Sequence, residues 1–118
     1  MSFITQNDLY VSGTFGYHTY RIPALVVTAT GHILAFCEGR HESMSDAGDI
    51  DLLCKRSTDG GNSFSETKVV VTDKGMTCGN PNPILDRDTG FIWLLFNKNL
   101  AEGPEDQILA GKAPRSVW

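Results

Sequence analysis

The fold follows from one stretch of sequence, Ser57-Thr58-Asp59-Gly60-Gly61-Asn62-Ser63-Phe64. It fits the pattern S-x-D-x-G-x-x-F/W, which predicts a tight turn between two β-strands. The Asp59 side chain can accept hydrogen bonds from backbone amides ahead of it, and glycine permits the positive φ that such turns need. The ring of Phe64 can fill the gap beside the turn. Four positions therefore form a structural rather than a chemical motif: Ser57, Asp59, Gly61 and Phe64.

Short apolar stretches rich in β-formers flank this turn. We predict strands at residues 20–27, 32–38, 49–56 and 67–71. The first two strands form a hairpin through the turn Ala29-Thr30-Gly31. Four strands in about 50 residues is the size of one β-propeller blade. The pattern then restarts, with strands predicted at 82–86, 91–97 and from Arg115 onward.

Two features of the second half complete an all-β prediction. The unbroken apolar run at 91–97 predicts a strand buried on both faces. Residues 101–106 read as a polar loop, and no window shows a helical period.

The predicted strands divide the chain into one blade and part of another. We interpret residues 15–72 as blade one, containing the turn at 57–64, and residues 80–118 as the start of blade two. One blade and part of a second cannot close a ring, and they would leave open strand edges exposed. We therefore expect an N-terminal, incomplete part of a propeller without a stable fold of its own. The alternative is a self-contained β-sandwich of six or seven strands.

Composition argues against several kinds of partner, site and location. The formal net charge of −4 and the lack of a basic run argue against a nucleic-acid partner. Three cysteines without CxxC spacing predict buried free thiols rather than disulfides or a zinc site. The chain as written shows no signal peptide and no apolar run of the roughly 20 residues that span a bilayer. A cytoplasmic location is the default expectation.

Five segments, taken in order and spacing, resemble the landmarks of the sialidase (neuraminidase) family. They are Tyr20-Arg21-Ile22-Pro23, Glu38-Gly39-Arg40, the loop and strand at 45–51, the turn at 57–64 (the Asp box), and Gly79-Asn80-Pro81-Asn82-Pro83. The resemblance implies a six-bladed propeller and an exo-α-sialidase. Such an enzyme hydrolyses terminal sialic acids of glycoproteins, glycolipids and oligosaccharides with retention, and it needs no metal or other cofactor. The family also admits a lysosomal or membrane-associated location.

The resemblance assigns roles to three residues of this chain. Arg21 corresponds to one of three arginines that clamp the substrate carboxylate, a task suited to guanidinium groups. Arg40 corresponds to a residue near the sugar 4-hydroxyl, with a salt bridge to Glu38 as the alternative. Asp46 corresponds to the acid/base, with Asp49 as the first alternative in the same loop. His18 and His41 flank these motifs and are interpreted as solvated side chains.

Several family residues have no counterpart in these 118 residues. The tyrosine nucleophile, its glutamate partner and two clamp arginines lie in later blades of the family, so we expect no activity from this chain alone. Alternatives to hydrolysis remain open. These are a trans-sialidase, a sialoglycan-binding propeller without catalysis, and an Asp-box propeller of the sorting-receptor kind.

Overall fold

The computed structural model describes residues 3–118. The chain forms one curled β-sheet and one short helix, which confirms the all-β prediction. The seven strands are β1 (Thr19–Val27), β2 (Ile33–Arg40), β3 (Ile50–Ser57), β4 (Lys68–Val71), β5 (Met76–Leu85), β6 (Ile92–Leu100) and β7 (Arg115–Val117). The helix α1 spans Glu105–Leu109.

The sheet is ordered β1-β2-β3-β5-β6-β7, with β4 beside β3. Neighbours are antiparallel except β3 and β5, which meet in parallel at Ile50 and Thr77. Ile50 also pairs with Arg40, whereas Ser57 at the far end of β3 pairs with Ile33. One end of β3 therefore joins the loop at 41–49, and the opposite end carries the turn at 57–64.

The hairpins β1–β2 and β5–β6 contain the same irregularity. In each, one extra residue bulges from the first strand, between Arg21 and Ala24 in β1 and between Gly79 and Asn82 in β5. The bulges contain Ile22 (φ 56°) and Asn80 (φ 54°), and both precede proline. Positive φ is rare outside glycine, most of all for a β-branched residue. The second hairpin thus repeats the first. The blade limits of 15–72 and 80–118 stay a prediction.

The turn at 57–64 has the hydrogen bonding expected from its sequence. Asp59 Oδ1 accepts bonds from the Ser57 hydroxyl (2.8 Å) and from the Ser63 backbone amide (2.9 Å). Gly60 and Gly61 have φ values of 74° and 93°. Hydrogen bonds from Ser63, and then from Ser57, lower the pKa of Asp59 to about 2. The carboxylate therefore holds the turn as an anion.

Two predictions about the second half were wrong. From Ile92 to Phe96 the strand β6 alternates between half-buried and exposed residues, and Trp93 is 57% exposed, so this apolar run is not buried on both faces. The predicted loop at 101–106 leads into α1, whose first turn holds Glu105 and Asp106 after Pro104. A helix of one turn is too short to show a helical period in sequence.

Burial is concentrated in β2, β3 and the start of β5. The free thiols of Cys37 and Cys78 are buried, as predicted, while Cys54 is half-buried. Among residues 3–118, no helix is long and apolar enough to cross a membrane.

Candidate functional site

A polar cleft of ≈ 300 Å³ is lined by residues of β1, β2, β5 and β6 and lies beside the bulges of β1 and β5. It contains all three residues to which the resemblance assigns a binding or catalytic role. The lining residues are Arg21, Ile22, Glu38, Arg40, Asp46, Thr77, Gly79, Asn80, Asn97, Glu105 and Arg115. The Asp box lies at the opposite end of β3, away from this cleft.

Arg21 stands at the bulge of β1. Its side chain is 49% exposed, and its Nη1 donates to Asp46 Oδ1 at 3.2 Å. The adjacent Ile22 has positive φ, and Pro23 fixes the backbone after it. A constrained backbone thus carries an arginine whose guanidinium group stays accessible from the cleft.

Arg40 is buried, and all three nitrogen atoms of its guanidinium group donate hydrogen bonds. Nε and Nη2 donate to Glu38 Oε2 at 3.0 and 2.6 Å, and Nη1 donates to the carbonyls of Met44 (2.6 Å) and Ser45 (2.9 Å). The side chains of Arg40 and Glu38 are only 3% and 5% exposed. Arg40 thus lines the cleft and also bridges to Glu38, so the predicted salt bridge does not exclude a place in the cleft. Its role near a sugar hydroxyl stays a prediction.

Asp46 lies at the point where the two arginines meet. Its Oδ1 is 2.9 Å from Arg40 Nη2 as well as 3.2 Å from Arg21 Nη1, and its side chain is 67% exposed. Thr77 anchors the same loop by bonding both the amide and the carbonyl of Gly48. Asp46 is thus a solvent-accessible carboxylate held between two guanidinium groups.

The alternative acid, Asp49, does not line the cleft. It borders a small cavity of ≈ 30 Å³ on the other side of the loop. The third acid, Asp51, is buried on β3 and accepts bonds from Tyr17 and His41. The His41 side chain is 37% exposed, in agreement with its interpretation as solvated, and it also pairs with Asp51. His18 is exposed as well.

The sequence reasoning missed several cleft residues. The backbone amide of Asn80 donates to Glu38 Oε1 at 2.9 Å, which ties the second bulge to the buried ion pair. Glu105 accepts bonds from both Nη atoms of Arg115, and this pairing lowers the pKa of Glu105. Asn80 could have been found from the repeat, since Asn80-Pro81 matches Ile22-Pro23. Glu105 and Arg115 carry no sequence signal, because only the fold of α1 against β7 joins them.

One group of side chains among residues 3–118 has the composition of a metal site. Ligand atoms of His41, Asp49 and Asp51 lie within 4.8 Å of one another. His41 Nε2 and Asp51 Oδ2 are already hydrogen-bonded at 2.8 Å. The group lies at the base of the loop at 41–49, and none of its members lines the cleft. It was not predicted from the sequence.

The tyrosines lie away from the cleft. Tyr10 and Tyr17 pack on Tyr20, with ring centroids 5.3 and 5.6 Å from it. Burial raises the pKa of Tyr10 and of Tyr17 above the usual range. In the described part of the chain, no tyrosine is therefore placed to attack a ligand in the cleft.

Comparison with known proteins gives consistent relatives. The chain is 42% identical over 96 residues to an exo-alpha-sialidase of Arthroderma benhamiae, and this match covers 76% of the chain and 23% of the relative. It is 40% identical over 95 residues to a sialidase of Micromonospora viridifaciens, covering 75% and 14% of the two. No protein-family model matches the chain.

Solved structures agree with the sequence relatives. A Hadza microbial sialidase superposes with a TM-score of 0.70 and 27% identity, over 78% of this chain and 20% of that one. The chain thus spans about a quarter or less of the relatives that it matches. The curled sheet agrees with part of a propeller of this kind.

Proposed function

We propose, because this chain belongs to the sialidase family, that its cleft is part of an exo-α-sialidase site. In this proposal the whole protein releases terminal sialic acids from glycoconjugates with retention. The observation that supports it is the convergence of Arg21 and Arg40 on one accessible oxygen of Asp46. Fixed positive charge can bind the carboxylate of an anionic sugar. An exposed carboxyl group beside it can transfer a proton to the glycosidic oxygen.

Arg21 is the group that binds the substrate carboxylate. Its guanidinium group is half-exposed and makes a single ion pair in the cleft, so it can form a bidentate contact with an incoming carboxylate. Arg40 cannot do the same without losing bonds, because Glu38 and two backbone carbonyls already hold it. We assign to Arg40 the task of shaping the pocket and holding Asp46.

Asp46 is the general acid and then the general base. It must carry a proton when the glycosidic oxygen leaves, and it must accept one from the attacking water afterwards. Asp46 Oδ1 contacts both guanidinium groups, at 3.2 Å from Arg21 Nη1 and 2.9 Å from Arg40 Nη2. A substrate carboxylate that engages Arg21 competes for the first of these contacts. Arg21 therefore lies where substrate binding meets the proposed acid.

The nucleophile and its partner base belong to the whole protein rather than to this cleft. The three tyrosines lie outside the cleft lining, and burial and hydrogen bonding keep Tyr10 and Tyr17 protonated. Sequencing the message beyond the codon for Trp118 tests this point. A continuing frame with a later Tyr/Glu pair and two arginines would support the proposal.

The test of the acid assignment compares Asp46→Ala with Asp49→Ala in the whole protein. Loss of the acid should lower kcat about 10²–10⁴-fold for a sialoside with an alkyl leaving group. It should lower kcat much less for an aryl sialoside whose leaving group needs no proton. Equal losses in both variants, or a loss confined to Asp49→Ala, would show that the acid assignment is wrong.

A further inference from the structure

A buried carboxylate supports the loop that carries Asp46. Asp51 is 4% exposed and lies outside the cleft lining. Its Oδ2 accepts hydrogen bonds from the Tyr17 hydroxyl and from His41 Nε2, both at 2.8 Å. Its Oδ1 has no hydrogen-bond partner among the described residues. The buried charge therefore depends on two donors that act on a single oxygen.

Tyr17 reaches Asp51 because the residue between them is glycine. Gly39 of β2 lies directly opposite Asp51 of β3. A Cβ atom at position 39 would stand 2.8 Å from two ring carbons of Tyr17 and 2.6 Å from Leu53 Cδ1. The ring of Tyr17 thus lies on the bare backbone of Gly39. The amide of His18 donates to the Arg40 carbonyl at 2.9 Å and fixes the adjacent backbone.

The same three side chains close both ends of the loop at 41–49. His41 is the first residue after β2, and its backbone amide donates to the Asp49 carbonyl at 3.2 Å. Asp51 is the second residue of β3. The ring of His41 packs on Tyr17, with centroids 4.7 Å apart. One network therefore joins the first residue of the loop, the strand after it and the N-terminal segment.

We infer that Tyr17, His41 and Asp51 are positioning residues, which fix the base of this loop and thereby the place of the Asp46 carboxyl. The inference rests on the proposed function for what Asp46 does once it is in place. A proton donor must stand within hydrogen-bond reach of the leaving oxygen, and a displacement of about 1 Å can cost about 10²-fold in rate. Burial, reinforced by the bond to Asp51, raises the pKa of Tyr17, so its hydroxyl remains a donor.

The variant Tyr17→Phe removes one hydroxyl and leaves the ring on Gly39. Tyr10→Phe is the matched control, because it deletes a hydroxyl that bonds the Ala35 carbonyl at 2.9 Å in the same aromatic cluster. Hydrogen exchange followed by mass spectrometry gives a readout that needs no activity. Amides at 41–51 should exchange about tenfold faster in Tyr17→Phe, the factor expected for loss of one hydrogen bond. They should be unchanged in Tyr10→Phe. Equal exchange at 41–51 in the two variants would overturn the inference.

Kinetics of the whole protein separate positioning from mere stability. For an alkyl sialoside, kcat of Tyr17→Phe should fall about tenfold or more while KM stays within about twofold, because Arg21 is untouched. For an aryl sialoside that needs no acid, kcat should match that of Tyr10→Phe. Equal losses with both substrates would refute a positioning role. A wild-type protein that hydrolyses neither sialoside would refute the proposed function, while the exchange result would still decide whether the network fixes the loop.

Discussion

The ion pair between Glu38 and Arg40 gives the sharpest quantitative prediction, through the substitution Glu38→Gln. Glutamine keeps the size of the side chain, and its carbonyl can still accept the Asn80 amide, now 2.9 Å from Oε1. Its NH₂ group then faces Arg40 Nε and Nη2, which now bond Glu38 Oε2 at 3.0 and 2.6 Å. Donors would face donors, and the guanidinium group would lose its buried counter-ion.

The expected cost follows from burial. Removing one partner of a buried ion pair costs about 3–5 kcal/mol, because the other charge stays buried without compensation. Asp46 stays 2.9 Å from Arg40 Nη2 and offsets part of this loss, although it is 67% exposed. We therefore expect the free energy of unfolding to fall by about 3 kcal/mol. That is a large part of the roughly 5–15 kcal/mol that stabilises an ordinary domain.

Urea unfolding followed by circular dichroism measures this loss in the whole protein. Glu105→Gln is the matched control, because the pair of Glu105 with Arg115 is partly exposed, and it should lower stability much less than Glu38→Gln does. The double variant Glu38→Gln/Arg40→Met should be more stable than the sum of the single changes predicts. A loss below about 1 kcal/mol in Glu38→Gln, or simple additivity in the double variant, would refute the reasoning.

Three further predictions concern other parts of the sheet. Gly79→Ala should lower stability by about 1–3 kcal/mol, because a Cβ atom at this position would stand 2.8 Å from Glu38 Oε1. A crystal structure of the variant should show the Glu38 carboxylate displaced, and an unmoved carboxylate would contradict this. Asp59, with its pKa lowered to about 2, should stabilise the fold fully above about pH 4, and this contribution should disappear as the pH falls to 2. Asp59→Asn should therefore flatten the acid limb of the stability profile, and an unchanged limb counts against it. Burial raises the pKa of Cys37 to about 12, so iodoacetamide at pH 8 should leave Cys37 unmodified in the native protein and label it after denaturation; rapid native labelling would show that the site opens.

Features that depend on neighbours along the chain could be predicted from the amino-acid sequence. The strands, the turn at 57–64 and the constrained backbone at Ile22-Pro23 follow from backbone preferences and short-range hydrogen bonds, and the structure contains all of them. The exception in extent is β5, which begins at Met76 rather than at the predicted residue 82. The pairing of Glu38 with Arg40 was also foreseeable, because residues two apart on a strand share a face. The roles of these residues came from a resemblance and remain proposals.

Tertiary structure alone decided which distant groups meet. Asn80 of β5 reaches Glu38 of β2 although the two strands are not paired in the sheet. Tyr17 reaches Asp51 because Gly39, directly opposite Asp51, leaves room for its ring. The exposure of Trp93 likewise depends on which elements cover β6, and the apolar run of that strand does not reveal this. Burial and long-range hydrogen bonds are properties of the packed chain, so a linear pattern can indicate an element but cannot state what will lie against it.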